Sequence, residues 1–504
     1  MPSEKTGPIQ REEFDVVVVG GGGAGLAAAV EARSLGRNVV LLEKNPKLGG
    51  STSRSVGSFT ASNTPLQLRQ GILDSPEDHF EDMGLFCARR NLPDNHALRR
   101  VLVENVTETF HWLSSLGVVF FGPTLEEPHR RPRMHNVLPT SGAYIYHLLR
   151  RARRVGVRID LDTSVSDLIV EGGRVVGVHA KRAGRAIDYG AAGGVVLATG
   201  DFSGNREMRT TYISPDVELA RPANPTNTGD GHRMVLALGG RLINSHVYLG
   251  GARFDQPPPK FLASLPPIGL IARPMAWAME NLPMRFLRPF VMSFLTAMLR
   301  ASSNMLNQGG LMINRDGKRF ADELGEPNLE IPKQPDGLAY ILLDGDLVRK
   351  FSGPPNYVST APGVAYAYLP DYRRSRKDIY TEAPTLAKLA GKLGMNAEVL
   401  ERTIANFNAV GGSRRPFGEG PYVALGPVRY YITYADSGVA VDERHRVLGL
   451  ADRPIQGLYA AGFIGMGGML LEGLGHHIGW AFTSGRRAGR FAAQGTTNSP
   501  NSPQ

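Results

Sequence analysis

Residues 16–25 read VVVVGGGGAG, so four consecutive valines lead directly into a run of glycines. An apolar β-branched run of this kind is typical of a buried parallel strand. Gly20, Gly22 and Gly25 have the spacing GxGxxG, and the helical pattern Leu26–Leu35 follows them. The first glycine permits a tight turn, the second lets the backbone approach a diphosphate, and the third lets the helix pack on the strand. The stretch therefore predicts a dinucleotide-binding turn.

An acidic residue stands where this motif uses one. The apolar run Asn38–Leu42 predicts a second strand, and Glu43 follows it directly. A carboxylate at this strand end accepts hydrogen bonds from the ribose hydroxyls of a dinucleotide. A GxGxxG match alone is weak, but here the strand, the helix and the acid that the motif requires are all in place.

A second glycine-rich loop, GGSTSRSVG, occupies residues 49–57. Nicotinamide dehydrogenases need no such loop after the acidic residue, whereas the ribityl chain and the ring of a flavin extend past it. Two further turns, VVLATG at 195–200 and GLYAAG at 457–462, follow predicted strands and can bring backbone N–H groups to the same cofactor. Together these segments indicate a flavin dinucleotide, FAD.

Composition and charge limit the class of protein. The 504 residues, 42% of them hydrophobic and 21% charged, predict a globular chain of two or three domains. The net charge of +10 is spread along the chain without a dense basic block, so a nucleic-acid partner is not expected. Cys87 is the single cysteine, which excludes an internal disulfide and favours a reducing, cytoplasmic location.

The segment 261–300 is rich in proline, methionine and phenylalanine. From Phe286, apolar residues recur at 290, 294 and 298, and again at 287, 291, 295 and 299. They predict a helix that is apolar on most of its faces but shorter than the about 18–20 residues that a membrane-spanning helix needs. Such a helix is a core or homo-oligomer element, a peripheral membrane contact at a substrate entrance, or a mobile lid.

These motifs resemble those of the fumarate reductase/succinate dehydrogenase flavoprotein superfamily, which includes 3-ketosteroid dehydrogenases. TNTGDG at 226–231 and INRDGKRF at 313–320 match it as well, so the resemblance covers about residues 14–490. It implies an α/β fold, a Rossmann-like FAD-binding domain interrupted by an α+β capping domain with the substrate between them. The expected bounds are 1–250 and 416–495 for the FAD-binding domain, 251–415 for the capping domain and 496–504 for a disordered tail.

The motifs and the resemblance together imply a set of cofactor-binding residues. The set is Gly20, Gly22, Gly25, Glu43, Lys44, Gly50, Ser51, Thr52, Ser55, Gly57, Val165, Ala198, Thr199, Gly200, Asn205, Asp230, Gly462, His477 and Ile478. The GGST loop lacks the histidine that covalently flavinylated relatives place there, so non-covalent FAD is expected. No second GxGxxG stands between a strand and a helix, so electrons come from or go to a quinone, another protein or a diffusible carrier.

The resemblance implies hydride exchange between the flavin and a carbon next to a carbonyl or carboxylate, with an acid or base moving the partner proton. The residues that fumarate reductases use do not transfer, because no arginine follows the 313–320 motif and Gly250-Gly251 stand where those enzymes carry a histidine. The tyrosines of ketosteroid dehydrogenases do not transfer either, because Pro327 and Leu471-Glu472 stand at those places.

Several side chains remain as candidates for the acid or base. His476 and His477 open the last predicted helix, where they either act in catalysis or fill space beside a backbone that meets the flavin. Tyr366 and Tyr368 alternate and so share one face of a predicted strand, where proton donation and aromatic packing are alternatives. Tyr434 approaches the flavin domain again and is a further candidate.

The remaining candidate residues could bind the substrate or a metal ion. Arg133, with Arg131 and His135, either binds a substrate carboxylate through a bidentate fork or belongs to a solvated basic loop. Glu472 either faces the substrate or caps a turn. No set of His, Asp and Glu has metal-ligand spacing in the sequence, so no metal is expected.

The sequence thus favours an FAD-dependent oxidoreductase that desaturates a cyclic ketone or ketosteroid-like substrate, since the capping segment suggests a small apolar carbonyl ligand. Reduction of an unsaturated carboxylic acid is the alternative, favoured if Arg131 or Arg133 lines the flavin. A flavoprotein subunit of an electron-transfer complex is a third possibility.

Overall fold

The computed structural model describes residues 10–255, 265–298, 300–361, 365–410 and 414–495. The predicted tail 496–504 lies outside the described residues, as do 261–264 and 299 of the apolar segment. The strands are β1 (Gln10–Val19), β2 (Val39–Leu42), β3 (Ser58–Thr60), β4 (Val119–Thr124), β5 (Met134–Leu138), β6 (Arg158–Asp160), β7 (Thr163–Glu171), β8 (Arg174–Arg182), β9 (Arg185–Leu197), β10 (Arg221–Pro222), β11 (Tyr248–Phe254), β12 (Leu311–Ile313), β13 (Ala339–Leu343), β14 (Ser359–Ala361), β15 (Ala365–Ala367), β16 (Tyr380–Ala383), β17 (Tyr422–Ala435), β18 (Arg446–Leu448) and β19 (Pro454–Ala460).

The helices are α1 (Gly23–Ser34), α2 (Pro65–Arg69), α3 (Pro76–Cys87), α4 (His96–Ser115), α5 (Gly142–Val155), α6 (Arg206–Tyr212), α7 (Asp230–Ala237), α8 (Gly269–Asn281), α9 (Met284–Met298), α10 (Asn304–Asn307), α11 (Pro327–Glu330), α12 (Gly345–Lys350), α13 (Leu369–Ser375), α14 (Leu386–Leu393), α15 (Ala397–Val410) and α16 (His476–Gln494). None of the helices in the described part of the chain combines the length and the apolar character that crossing a bilayer requires.

The larger sheet carries the glycine turn. Its eight strands run in the order β18, β19, β8, β9, β1, β2 and β6, with β7 paired to β8. Strand β1 lies parallel to both of its neighbours, so that Val18 pairs with Leu41 of β2 and with Val196 of β9. Val16, Val17 and Val18 are fully buried, as expected for the centre of a parallel sheet. The predicted βαβ start of the chain is confirmed.

Helix α16 packs against α1 at very close range because both helices carry small residues there. A Cβ added to Gly485 would lie 2.3 Å from the carbonyl oxygen of Ala24, and one added to Gly489 would lie 2.3 Å from that of Ala28. The two contacts advance together along both helices, so α1 and α16 run in the same direction. The N-terminal ends of the two helices therefore lie at the same end of the sheet.

A second sheet lies beside the first. Its order is β10, β17, β13 and β12, with β11 and β16 also paired to β17. The long strand β17 is its centre, since β10, β11, β13 and β16 all pair with it. Three buried clusters of apolar residues fill this part of the molecule, apart from the core of the larger sheet.

The α/β fold class predicted from the sequence is confirmed. The bounds expected for the capping domain, 251–415, stay a prediction, and the second sheet extends beyond them at both ends. Its strands begin with Arg221–Pro222 and end with Tyr422–Ala435, so both ends reach into the stretches assigned to the FAD-binding domain. The reason is the pairing of β17, which no local pattern in the sequence displays.

Candidate functional site

A cavity of about 1290 Å³ is lined by residues of the glycine turn, of the second sheet and of the small sheet formed by β3, β4 and β5. The glycine turn after β1, the loop around residues 50–58 and the turn at 198–200 line one part of it. Residues of α8, α9 and strands β11 to β13 line another part, and the start of α16 lies between the two. The cavity is therefore continuous from the predicted nucleotide site to the second sheet.

The glycine turn has the free space that a diphosphate needs. Gly22 lines the cavity, and a Cβ added to it would meet no protein atom within 4 Å. Helix α1 begins at the next residue, so the amide groups of its first turn face the same space. Glu43 is buried on the cavity wall, where its Oε2 accepts a hydrogen bond from the Gly21 N–H at 2.7 Å. These residues fit the diphosphate and the ribose of FAD.

The second glycine-rich loop is held against the turn by side-chain hydrogen bonds. The Gly23 N–H donates to Thr52 Oγ1 at 3.1 Å, which fixes the loop beside the start of α1. Ser51 Oγ accepts hydrogen bonds from the side-chain amides of Asn224 and Asn227, at 3.0 and 3.1 Å. The loop is thereby placed on the cavity wall, where the sequence predicted a contact with the flavin.

Most of the predicted cofactor-binding residues lie on the cavity wall. They are Gly20, Gly22, Glu43, Lys44, Gly50, Ser51, Thr52, Ser55, Gly57, Val165, Ala198, Thr199, Gly200, Asp230, His477 and Ile478. Lys44 Nζ donates to Asp230 Oδ2 at 2.7 Å, so these two form an ion pair there.

Three predicted cofactor-binding residues lie off the wall and support it from behind. A Cβ at Gly25 would lie 1.8 Å from the carbonyl oxygen of Gly20, so Gly25 lets the helix pack on the turn. Asn205 caps α6 through its Oδ1, which accepts from the Met208 N–H at 3.1 Å. The Gly462 N–H donates to Ser484 Oγ at 2.9 Å, which joins the turn after β19 to α16.

His477 and Tyr434 form the polar centre of the cavity wall. His477 follows the first residue of α16, and its Nε2 lies 3.0 Å from Oδ1 of the buried Asp436. The Tyr434 ring centroid is 4.5 Å from that of His477, and Phe463 stacks on the imidazole with centroids 5.0 Å apart. Strand β17 and helix α16 thus place these side chains together, although the chain separates them widely.

The phenol of Tyr434 stays protonated. Burial, followed by the nearby carboxylates of Asp436 and Glu472, holds the pKa of Tyr434 well above its ordinary value. A neutral phenol donates a hydrogen bond and does not act as a base at neutral pH. The structure therefore favours a role for Tyr434 as a hydrogen-bond or proton donor.

Glu126 is a wall residue that the sequence analysis did not single out. It follows β4, is buried, and accepts hydrogen bonds from the Leu474 N–H at 3.0 Å (Oε1) and 2.9 Å (Oε2). Burial raises the pKa of Glu126 to about 7, and the hydrogen bond from Leu474 opposes the rise. A carboxyl group with this pKa can gain or lose a proton near neutral pH. No motif marks it, because its position depends on the fold of α16.

The part of the cavity beside the second sheet is mainly apolar. Its apolar wall residues include Leu249, Met275, Ala278, Met279, Leu287, Val291, Leu306, Met312 and Ile341. Two arginines, Arg253 and Arg300, also line it. Arg300 Nη1 donates to the carbonyl oxygen of Gly250 at 3.0 Å, so the Gly250-Gly251 segment lies beside this guanidinium. Neither arginine belongs to a motif, and the sequence analysis did not find them.

The structure does not bring Tyr366 or Tyr368 to the cavity. Tyr366 is 47% exposed, and its ring packs on Tyr357 at 5.2 Å between centroids. Tyr368 lies beyond the end of β15 and precedes α13, with the Arg288 guanidinium 5.5 Å from its ring centroid. The two tyrosines therefore do not share a strand face, because the strand ends at Ala367.

Arg133 lies behind the cavity wall, fully buried between two aspartates. Its Nη2 is 2.6 Å from Asp74 Oδ1, and its Nη1 is 2.5 Å from Asp82 Oδ2. The guanidinium is therefore neutralised within the protein and holds α3 to the loop that precedes it. Arg131 is exposed, and His135 is buried with its Nε2 2.9 Å from Thr64 Oγ1, so the predicted carboxylate fork does not form.

His476 is also buried behind the wall, in a cluster with His79 and His129. Its Nδ1 lies 2.6 Å from the carbonyl oxygen of Glu472, and its Nε2 lies 3.1 Å from His79 Nε2. The His129 Nδ1 faces Nη1 of Arg133, which can only donate, at 2.8 Å. A neutral His129 therefore carries its proton on Nε2, which then offers no lone pair to a metal ion. The sequence analysis missed this cluster because its members are far apart in the chain.

Replacement of Arg133 by methionine tests its structural role. The buried Asp74 carboxylate would lose its cationic partner, so we expect the free energy of unfolding of the FAD-loaded protein to fall by about 3–5 kcal/mol in urea. Arg131→Met is the matched control at an exposed position, with an expected change within about 0.5 kcal/mol. An Arg133→Met protein with unchanged stability and lost turnover would show instead that Arg133 acts in catalysis.

Comparison with known proteins connects this geometry to a family. Residues 15–249 and 274–470, more than half of the chain, match the family described as FAD binding domain. The NADH:fumarate oxidoreductase of Klebsiella pneumoniae (strain 342) is 26% identical over 473 residues, which cover 90% of this chain and 44% of that protein. The NADH:acrylate oxidoreductase of Vibrio harveyi is 29% identical over 566 residues, which cover 96% of this chain and 50% of that protein. The chain thus spans about half the length of these two relatives.

Solved structures agree with the family match. The open conformation of a flavocytochrome c3 fumarate reductase is 26% identical with a TM-score of 0.73, covering 97% of this chain and 79% of that chain. A 3-ketosteroid delta1-dehydrogenase from Sterolibacterium denitrificans has the same fold, with 21% identity and a TM-score of 0.64 over 96% of this chain and 99% of that chain. The predicted superfamily and cofactor are confirmed: the chain belongs to the FAD binding domain family, and FAD is its cofactor.

Proposed function

We propose that the protein is an FAD-dependent oxidoreductase that acts on a carbon–carbon bond next to a carbonyl group, in an apolar substrate. The observation that carries the proposal is a continuous cavity, which joins the FAD-binding turn to an apolar chamber with a neutral phenol on its wall. FAD, when bound, supplies the hydride exchange of this reaction. Desaturation of a cyclic or steroid-like ketone is the first choice, because methionines and aliphatic side chains form most of that chamber.

Tyr434 supplies the hydrogen bond to the carbonyl oxygen in this proposal. Negative charge develops on that oxygen during the reaction, and a donor fixed in a buried site stabilises it. Asp436 and Phe463 hold the neighbouring His477 on the cavity wall, and His477 packs against the Tyr434 ring. The His477–Asp436 pair is thus positioned to orient the phenol.

Glu126 moves the partner proton in this proposal. Its carboxyl group lies on the wall of the same cavity and has a pKa of about 7, raised by burial. In desaturation the carboxylate removes a proton from the carbon next to the carbonyl. In the reverse reaction the protonated carboxyl group returns it.

A second candidate function is the reduction of an unsaturated carboxylic acid. The side chains of Arg253 and Arg300 line the chamber, and guanidinium groups bind carboxylates well. The names of the two relatives above, which act on fumarate and acrylate, agree with this choice. For either reaction the electrons require an external donor or acceptor.

Anaerobic mixing with a panel of substrates distinguishes the two reactions. We expect saturated cyclic ketones to bleach the absorbance of the FAD-loaded protein, because they give up hydride to the flavin. Chemically reduced protein should be reoxidised only slowly by enoic acids such as fumarate or acrylate. Absorbance that no ketone bleaches, together with rapid reoxidation by enoic acids, would favour the second candidate.

Tyr434→Phe tests the donor. Loss of one preorganised hydrogen-bond donor should lower kcat by about 10²–10³-fold, while FAD content stays normal. Tyr366→Phe is the matched control, because that tyrosine is exposed and lies outside the cavity. Equal rates of flavin reduction in the Tyr434→Phe and wild-type proteins would contradict the assignment.

The pH dependence of the reaction tests Glu126. Since the carboxylate is the proton acceptor in desaturation, the rate of flavin reduction should rise as the pH increases through about 7, the pKa of Glu126. Glu126→Gln should abolish this rise and lower the rate by about 10²-fold or more. A Glu126→Gln protein that keeps the wild-type pH profile would remove Glu126 from the mechanism, and a rate that falls with rising pH would instead support a proton donor in reduction.

A further inference from the structure

Two consecutive helices, α8 and α9, expose large apolar side chains to solvent; we call them the α8–α9 hairpin only because a short link joins them in the chain. Leu270 is 83% exposed, Trp277 60%, Met284 44% and Phe286 58%. On α8, Leu270 and Trp277 lie seven residues apart and so share one face of the helix. Scattered single apolar residues are ordinary on a protein surface, whereas these four large exposed ones in the short stretch from Leu270 to Phe286 indicate an interaction site.

On α8 the opposite face lines the cavity, through Met275 and Met279. Leu287 and Val291 of α9 are also cavity-wall residues. One layer of helix, α8, therefore separates Leu270 and Trp277 from the apolar chamber. The hairpin is also anchored to the rest of the protein, since the Arg288 guanidinium pairs with Asp371 at 2.6 Å.

The charges on the exposed side are mainly positive. Arg273 is exposed on α8, beside the face of Leu270 and Trp277, and Arg285 is exposed next to Phe286, with its guanidinium 4.9 Å from the ring centroid. Glu280 is the only acidic residue in the sequence from 265 to 298. Arginine around exposed tryptophan, leucine and phenylalanine is the composition of a helix that lies in the headgroup region of an anionic bilayer.

We propose that the α8–α9 hairpin docks the protein on an anionic phospholipid surface, from which an apolar substrate enters the cavity. The substrate part of this inference rests on the proposed function, whereas the docking itself does not. A second copy of the chain fits the surface less well, because docking two such hairpins together would bring their arginines close to each other. Anionic headgroups pair with those arginines while the apolar side chains enter the lipid.

Co-sedimentation of the FAD-loaded protein with vesicles tests the proposal. We expect binding to vesicles of phosphatidylcholine mixed with phosphatidylglycerol, and weaker binding to phosphatidylcholine alone or at high salt. The double variant Leu270→Glu/Phe286→Glu should partition into the vesicles more than about tenfold less, because two apolar side chains that enter the lipid are replaced by charged ones. Leu73→Glu/Leu450→Glu is the matched control, at residues that are 76% and 80% exposed elsewhere on the protein.

Two further measurements separate the outcomes. Brominated lipids should quench the fluorescence of Trp277, and the quenching should disappear in Trp277→Phe. Flavin reduction by a water-soluble ketone without vesicles should be the same in the Leu270→Glu/Phe286→Glu and wild-type proteins, so loss of binding and failure of the proposed reaction are distinguishable.

The proposal is overturned if the wild type stays in the supernatant with both kinds of vesicle or if the double variant still binds them. It is also overturned if the hairpin proves to join two copies of the chain in a dimer that does not bind vesicles.

Discussion

The contact between Gly25 and Gly20 is the constraint on which the site depends. A Cβ on Gly25 would lie 1.8 Å from the Gly20 carbonyl oxygen, so helix α1 can begin directly behind the turn only because that side chain is absent. This close packing points the first amides of α1 at the cavity and leaves the space in front of Gly22 free. The diphosphate of FAD requires both features, since it needs donors and room for the backbone to approach.

The remaining parts of the site are placed by contacts to this first element. Helix α16 packs against α1 through Gly485 and Gly489. This contact fixes the position of α16 along α1, and with it the place of His477 on the cavity wall. Strand β17 belongs to the second sheet but ends beside α16, where it contributes Tyr434 and is followed directly by Asp436. In the proposed reaction, the reacting part of a substrate would meet side chains at the end of β17 and at the start of α16, whereas the nucleotide would meet mainly backbone.

This division explains what the sequence could predict. The glycine turns are local features, because a strand, a turn and a helix follow one another in the chain, and the fold class and cofactor could be predicted from them. Arg133 looked like an anion-binding residue because its partners Asp74 and Asp82 are distant in sequence. Arg253 and Arg300 show the opposite error, because no motif marks them although both line the cavity. They come together where β11 forms a β-bridge to the segment after α9.

Gly22→Val tests the central claim most directly. Gly22 has extended backbone angles that valine adopts, and a Cβ there meets no protein atom within 4 Å, so the fold should accept the larger side chain. We expect the Gly22→Val apoprotein to have the same circular dichroism spectrum and unfolding midpoint as the wild-type apoprotein. In an equilibrium titration, the variant should no longer bind FAD. A Gly22→Val protein that binds FAD as tightly as the wild type would show that the diphosphate lies elsewhere.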